Sequence, residues 1–86
     1  MMIDLGVYKV VEKDDEFKNI VFLNIGYHYV IYLSYDDNYD KFELGSKWNV
    51  FYYSFNNMYL LKQYNKPKGI TFIYKPIGVH LEQIML

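Results

Sequence analysis

Two stretches of similar sequence, VIYLSYDDNY at residues 30–39 and VFYYSFNNMY at residues 50–59, decide the fold predicted for this chain. Each is a run of β-branched and aromatic residues that ends in two turn-forming residues, Asp36-Asp37 in the first and Asn56-Asn57 in the second. Such a run followed by such a pair is typical of a β-hairpin. A fainter copy of the pattern, VEKDDEF, occupies residues 11–17.

Further turn signals lie near residues 25, 46, 67 and 77, so turns recur about every ten residues. This spacing predicts an all-β fold, a small antiparallel meander that forms a barrel or sandwich. The predicted strands span residues 5–12, 17–24, 27–35, 39–44, 48–55, 58–64, 69–75 and 79–85. An alternative α+β fold has a helix over residues 47–65, with Ser46 as its N-cap and Pro67 beyond its end.

Two-residue loops at the two turn pairs would set the register of the predicted hairpins. They pair Ile31 with Phe42, Tyr29 with Leu44, and Tyr53 with Leu60. One sheet face then forms the predicted core: Tyr29, Ile31, Leu33, Phe42, Leu44, Phe51, Tyr53, Phe55 and Leu60. The other face mixes rings, hydroxyls and charges: His28, Val30, Tyr32, Ser34, Lys41, Glu43, Trp48, Val50, Tyr52, Ser54, Tyr59 and Leu61.

The chain has 86 residues and no cysteine, which predicts a single domain over residues 1–86 without disulfides. Its core must come from aromatic residues, of which 11 are Tyr and 6 are Phe. A short chain with two largely apolar sheet faces leaves rings exposed unless something covers them. We therefore predict self-association, as a homodimer.

The composition lacks alanine and arginine and is rich in residues with A+T-rich codons. This bias indicates an A+T-rich genome, either that of a virus or mobile element or that of a cell. Residues 19–35 carry no formal charge, but Asn24 and Gly26 interrupt them, and two strands explain the stretch better than a membrane span. The first residues lack a secretion signal, so we expect the protein in the cytoplasm, in the host cytoplasm if it is viral, and at no membrane.

Charge is distributed unevenly although the formal net charge is only −1. Residues 1–45 hold nine acids and four lysines, whereas residues 46–86 hold one acid and five lysines. In the predicted meander, acidic turns gather at one end: Glu12, Asp14, Asp15, Glu16, Asp36, Asp37, Asp40 and Glu43. Lys47, Lys66 and Lys68 are predicted at the opposite end.

No pattern in the sequence predicts catalysis. Residues 36–40 place oxygen ligands as a calcium loop does, but Lys41 replaces the required glycine and Lys47 the required glutamate. His28 and His80 have no spacing typical of a metal site. We therefore predict no catalytic residues, no metal site, no cofactor and no enzymatic activity.

The predicted function is that of a non-enzymatic protein-binding module, such as a viral or mobile-element factor that binds or inhibits a host protein. The partner-binding residues predicted for it are Tyr32, Tyr52, Trp48, Tyr59, Asp14, Asp15, Asp36 and Asp37. The alternative is a small β-barrel that binds single-stranded nucleic acid, with the same four rings stacking on bases. The net negative charge and the absence of arginine disfavour that alternative. A third interpretation is that these rings form a second small core.

Overall fold

The computed structural model describes residues 1–24, 26, 29–33 and 38–75, together with the backbone of residues 80–83. Within these residues, seven strands form one sheet in the order β6-β5-β4-β1-β2-β3-β7, and every paired neighbour is antiparallel. The all-β antiparallel prediction is confirmed. The strands are β1 (Met2–Asp14), β2 (Asn19–Asn24), β3 (Tyr29–Leu33), β4 (Lys47–Tyr53), β5 (Met58–Gln63), β6 (Thr71–Tyr74) and β7 (His80–Gln83).

The sheet is open, with β6 and β7 at its two edges, but it curls strongly around the segment between β3 and β4. In a flat sheet β2 and β6 would lie about 19 Å apart, because three strands separate them. The ring of Phe42 is 5.1 Å from that of Phe22 on β2 and 5.0 Å from that of Phe72 on β6. The rings of Phe22 and Phe72 are therefore much closer to each other than a flat sheet allows, and Phe42 fills the concave side.

The concave inner face holds the core. Trp48 is fully buried there, 4.7 Å from the Phe42 ring, and its indole N–H donates a 2.9 Å hydrogen bond to Ser46 Oγ. Such large rings compensate for the shortness of the chain. The core residues are Tyr8, Val10, Ile20, Phe22, Ile31, Leu33, Tyr39, Phe42, Trp48, Val50 and Leu61.

A β-bulge between Asp4 and Gly6 interrupts the pairing of β1 with β4. Gly6 has a positive φ of 93° and donates its backbone N–H to Asp4 Oδ1 at 2.8 Å. The Asn49 amide group donates to the same carboxylate at 2.9 Å and to the Gly6 carbonyl at 3.0 Å. From the other side, Asn24 Nδ2 donates to the Leu5 carbonyl at 3.2 Å. These bonds fix the position at which β1 bends.

Residues 39–44 form no strand, contrary to the prediction. A 3-10 helix occupies Tyr39–Lys41, and Phe42 follows it into the core. The predicted pairs of Ile31 with Phe42 and of Tyr29 with Leu44 are therefore wrong, because β3 pairs with β2 and β7 instead.

The hairpin of β4 and β5 forms, so the alternative helix over residues 47–65 is excluded. Its loop spans four residues, 54–57, rather than two. Tyr53 consequently pairs with Met58, and Phe51 with Leu60, instead of the predicted pair of Tyr53 with Leu60.

The predicted core is correct for Ile31, Leu33 and Phe42, which are fully buried. On β4 and β5 the predicted core residues are Phe51, Tyr53 and Leu60, which lie on the outer face of the sheet and not on the core face. Two further predicted core residues lie outside the strands. Leu44 is 67% exposed and Phe55 91% exposed. Trp48, Val50 and Leu61, which were predicted on the mixed face, are fully buried instead. Side chains alternate between the two faces of a strand, so the change of phase across the 3-10 helix inverts the prediction for the strands that follow.

The described parts of residues 19–35 lie in β2 and β3 and not in a membrane-spanning helix. Among the residues that the structure describes, no helix is long and apolar enough to cross a bilayer.

Candidate functional site

The acidic turn after β1 and the 3-10 helix lie together. The Tyr39 hydroxyl donates a short hydrogen bond to Asp15 Oδ1 and thereby joins the two segments. Asp14 and Asp40 also lie close enough to act on the Tyr39 phenol electrostatically. The predicted gathering of acids is therefore seen for these three carboxylates. Asp36 and Asp37 lie outside the described residues.

Lys66 and Lys68 do not lie at the opposite end of the strands from the acidic turn, contrary to the prediction. β1 and β5 run in the same direction, because both are antiparallel to β4. The turns after β1 and β5 therefore open towards the same end of the strands. The end of the β1–β2 hairpin, with the acids of residues 14–16, is called the charged edge here. Lys66 and Lys68 lie in the turn after β5, and Lys47 pairs with Lys9 in the middle of β1. The missing strand at residues 39–44 breaks the predicted alternation of turns between the two ends.

A cleft of about 560 Å³ opens at the charged edge. Across three neighbouring strands, Glu12 on β1 pairs with Val21 on β2, and Val21 pairs with Tyr32 on β3. This row lies on the outer face of the sheet, opposite the core, and Tyr32 is 39% exposed. The cleft therefore has a carboxylate on one side, an aromatic ring on the other and an apolar floor between them. Its lining residues are Glu12, Lys13, Asp14, Asp15, Asn19, Ile20, Val21, Tyr32 and Leu33.

Asp14 and Asn19 form the next row of the same face. One carboxylate oxygen of Asp14 accepts the backbone N–H of Glu16 at 3.0 Å, which orients the side chain. The side-chain oxygen of Asn19 is buried and has no hydrogen-bond partner among the described residues. A buried acceptor without a donor is energetically costly, and none of the described residues supplies a donor to this oxygen.

Two lysines lie against Tyr39 beside the cleft. Lys13 Nζ is 4.1 Å and Lys18 Nζ 4.8 Å from the centroid of its ring, which are cation–π distances. The hydrogen bond to the Asp15 carboxylate, followed by burial, raises the pKa of Tyr39 to about 12. This cluster ties the acidic turn to the 3-10 helix and so shapes one wall of the cleft.

The protein is expected to lose stability above about pH 10 because Tyr8 and Tyr39 ionise late in the folded state. Burial, followed by the neighbouring Tyr29 and Tyr59, raises the pKa of Tyr8 to about 12, and the pKa of Tyr39 is also raised to about 12. Unfolded tyrosines ionise near pH 10. Between these values the unfolded chain releases protons that the folded chain retains, so the free energy of unfolding falls as the pH rises. Below pH 10 this stabilisation is complete.

Titration of the phenolate absorbance, together with melting curves at each pH, measures this effect. Tyr39→Phe removes one late-ionising group and should leave the titration of the other tyrosines unchanged. The explanation fails if all tyrosines of the folded protein ionise together near pH 10.

The four aromatic residues predicted to bind a partner do not share one surface. Trp48 is fully buried, so its side chain cannot reach a partner, and that prediction is wrong. Tyr52 and Tyr59 face each other on the inner side, with ring centroids 5.0 Å apart, and the Tyr52 hydroxyl donates to Asn57 Oδ1 at 2.5 Å. Tyr32 alone of the four belongs to the cleft, together with the predicted Asp14 and Asp15.

Sequence reasoning missed Val21 and Asn19, and it placed Glu12 in an acidic cluster without assigning it to the site. Glu12 and Asp14 are two residues apart on one strand, which is a readable signal that they share a face. Their proximity to Tyr32 depends on the register of three strands, which the sequence does not specify.

Within the described residues, no group of three or more His, Asp or Glu side chains could hold a metal ion. His28, Asp36 and Asp37 fall outside those residues.

No protein-family model matches this sequence, and no curated protein or solved structure is significantly similar to it. The class that fold and site define is a small domain made of one curled antiparallel sheet, with an acidic cleft that has an aromatic wall.

Proposed function

We propose that this chain is a non-enzymatic protein-binding module whose cleft at the charged edge accepts a basic side chain of a partner protein. The observation that carries the proposal is the arrangement of the cleft. Glu12 and Tyr32 flank Val21 across three strands, and Asp14 follows on the same face.

A long basic side chain matches each part of this arrangement. Its methylene groups would lie over Val21, as the apolar stems of such side chains commonly lie on apolar surface. Its charged group would lie between the Tyr32 ring and the carboxylates of Glu12 and Asp14. A cation over a ring and a charge-assisted hydrogen bond to a carboxylate are both favourable in a partly desolvated cleft.

Arginine suits the cleft better than lysine. The planar guanidinium stacks on an aromatic ring and offers five N–H donors, whereas an ammonium group offers three. The carboxylates of Glu12 and Asp14 provide the matching acceptors. This chain contains no arginine. A second copy of this chain therefore cannot supply an arginine to the cleft.

A nucleic acid fits this site poorly. Phosphate groups would meet Glu12, Asp14 and Asp15, and the rings that were predicted to stack on bases are divided between the two faces of the sheet. The proposal that the partner is a host-cell protein follows from a viral origin of the gene, and that origin rests on the amino-acid composition alone.

The test is calorimetric titration with short extended peptides that carry one central arginine, lysine or citrulline. We expect the arginine peptide to bind best, and binding to weaken as salt is raised because charges are screened. Replacing Tyr32 by Ser should weaken binding about 10-fold, the magnitude of a partly desolvated cation–π contact. Glu12→Gln should weaken it by a smaller factor.

The matched control for Glu12→Gln is Glu16→Gln, which removes an exposed carboxylate of the turn after β1 that does not line the cleft. It should leave peptide affinity almost unchanged. Equal binding of the arginine and citrulline peptides, or equal losses in the two Gln variants, would show that the cleft does not recognise a cation. Salt-dependent binding of an oligonucleotide instead would favour the nucleic-acid function.

A further inference from the structure

A second surface lies away from the cleft, on the outer side of β4, β5 and β6. Strand pairing places Met2, Tyr53 and Met58 in one row of this face. The next row contains Phe51, Leu60 and Ile73. Met1 lies beside the β4–β5 turn, because its carbonyl accepts hydrogen bonds from the backbone N–H and the hydroxyl of Ser54. We call these residues, with Phe55 of that turn, the apolar outer face: Met1, Met2, Phe51, Tyr53, Phe55, Met58, Leu60 and Ile73.

This face is uncharged over most of its extent, since residues 48–61 contain no charged side chain. At its border the Asp4 carboxylate is already engaged by Asn49 and by the Gly6 N–H. Two such faces brought together would meet no strong like-charge repulsion. The charged edge carries acids and lysines, so it offers no apolar surface that could pair with this face. The chemistry therefore favours a second copy of the face as its occupant.

The exposed area agrees with a dimer. Met1 is 81%, Met2 50% and Ile73 59% exposed, and Phe55 is almost fully so, while the other four side chains are partly buried. With about 200 Å² as the full area of a large side chain, the eight together expose roughly 700 Å². That exceeds the apolar patch of about 300–600 Å² found on a typical monomer. It approaches the ~800 Å² that each partner contributes to a specific interface.

The β4–β5 turn supplies a rigid projection at one end of this face. The two bonds from Ser54 to the Met1 carbonyl hold one side of the turn, and the bond from Tyr52 to Asn57 holds the other. Phe55 thus projects from an ordered turn. An exposed aromatic residue on a preorganised support loses little conformational entropy on binding, as interface anchors require.

A groove that could receive this ring lies at the other end of the same face. It has a volume of about 320 Å³. Its apolar lining comes from Phe51, Tyr64 and Pro67, and the lysines Lys62 and Lys66 border it. The groove includes Asn49 near the start of β4, and Phe55 lies just beyond the end of the same strand. A two-fold axis at the level of Tyr52 would place Phe55 of each copy over the groove of the other.

We infer that two copies pair through the apolar outer face, with Phe55 of each copy in the groove beside Phe51 and Tyr64 of the other. The pairing is isologous, so each anchor and groove is used twice. It leaves the cleft at the charged edge open in both copies. The dimer would therefore present two cleft sites to its partner.

Sedimentation equilibrium over a concentration series tests the pairing. We expect a reversible monomer–dimer equilibrium for the unmodified chain. Phe55→Asp should raise the dissociation constant at least about 30-fold, as the loss of an interface anchor does. Ile73→Lys, at the far side of the face, should also yield monomer. Tyr64→Ser should weaken the dimer through the groove.

The matched control is Leu44→Asp, which places the same charge at an exposed apolar position near the charged edge. It should dimerise normally. Circular dichroism and melting curves establish whether each variant is folded. If Phe55→Asp does not fold, Ile73→Lys provides the test of the interface. The inference would be overturned if the unmodified chain is monomeric at all concentrations. It would also be overturned if Phe55→Asp and Ile73→Lys are both folded and both still dimerise.

Discussion

Phe42→Ala is expected to lower the free energy of unfolding by about 3–5 kcal/mol, the usual loss when a buried phenylalanine is truncated. The Phe42 ring contacts Phe22, Trp48 and Phe72, so it joins three strands that are not adjacent in the sheet. Removing it leaves a cavity at the centre of the curl. Small domains are stable by only about 5–15 kcal/mol, so this variant should be marginally folded.

Urea unfolding followed by the fluorescence of Trp48 measures this loss, because the single tryptophan is fully buried in the folded state. Leu44→Ala is the matched control. It lies two residues further along the same segment, its side chain is largely exposed, and its loss should stay within about 0.5 kcal/mol. Similar losses for the two variants would mean that Phe42 does not hold the curled sheet together.

Gly6→Ala is the second substitution expected to have a large effect, of about 2–6 kcal/mol. A side chain at positive φ costs about 1–3 kcal/mol. A Cβ at Gly6 would also lie 2.7 Å from Asn24 Nδ2, which is too close. Asn24 is only 4% exposed and cannot move away without losing its bond to the Leu5 carbonyl. A buried hydrogen-bonding group left unsatisfied costs a further 1–3 kcal/mol or so.

Gly45→Ala separates the two contributions. Gly45 also has a positive φ, of 86°, but a Cβ there meets no described atom within 4 Å. The loss of stability in Gly45→Ala should therefore come from the backbone strain alone. In the background of Asn24→Ala, the additional cost of Gly6→Ala should fall to that of Gly45→Ala. If Gly6→Ala and Gly45→Ala cost the same in the unmodified chain, the contact with Asn24 has no energetic role.

The strand-rich fold could be predicted because its signals are local. Alternating β-branched and aromatic runs, and turn residues about every ten positions, located seven of the eight predicted strands. Which strands pair could not be predicted, because β1 pairs with β4 over a long sequence separation and no local pattern encodes it. The similarity of residues 30–39 and 50–59 was also misleading, since it aligned Tyr32 with Tyr52, and the two lie on opposite faces.

The site was predictable only in part for the same reason. Charge density along the sequence located Asp14 and Asp15, and an exposed ring was expected at Tyr32. Their meeting in one cleft depends on the pairing of β1, β2 and β3 and on the Tyr39 hydroxyl, which holds the acidic turn in place. The burial of Trp48 depends on the phase of β4, and a single irregular segment before that strand is enough to invert it.

The position of β1 in the middle of the sheet has a consequence for folding during synthesis. β1 leaves the ribosome before the other strands and can form a hairpin with β2 as soon as β2 follows, but its other edge has no partner until β4 has been made. Until then the nascent chain has an exposed strand edge beside a row of apolar side chains, a state prone to aggregation. Pairings between distant segments also form slowly, on the order of milliseconds to seconds in all-β domains. The exposure of this strand edge should therefore end only when β4 has emerged from the ribosome.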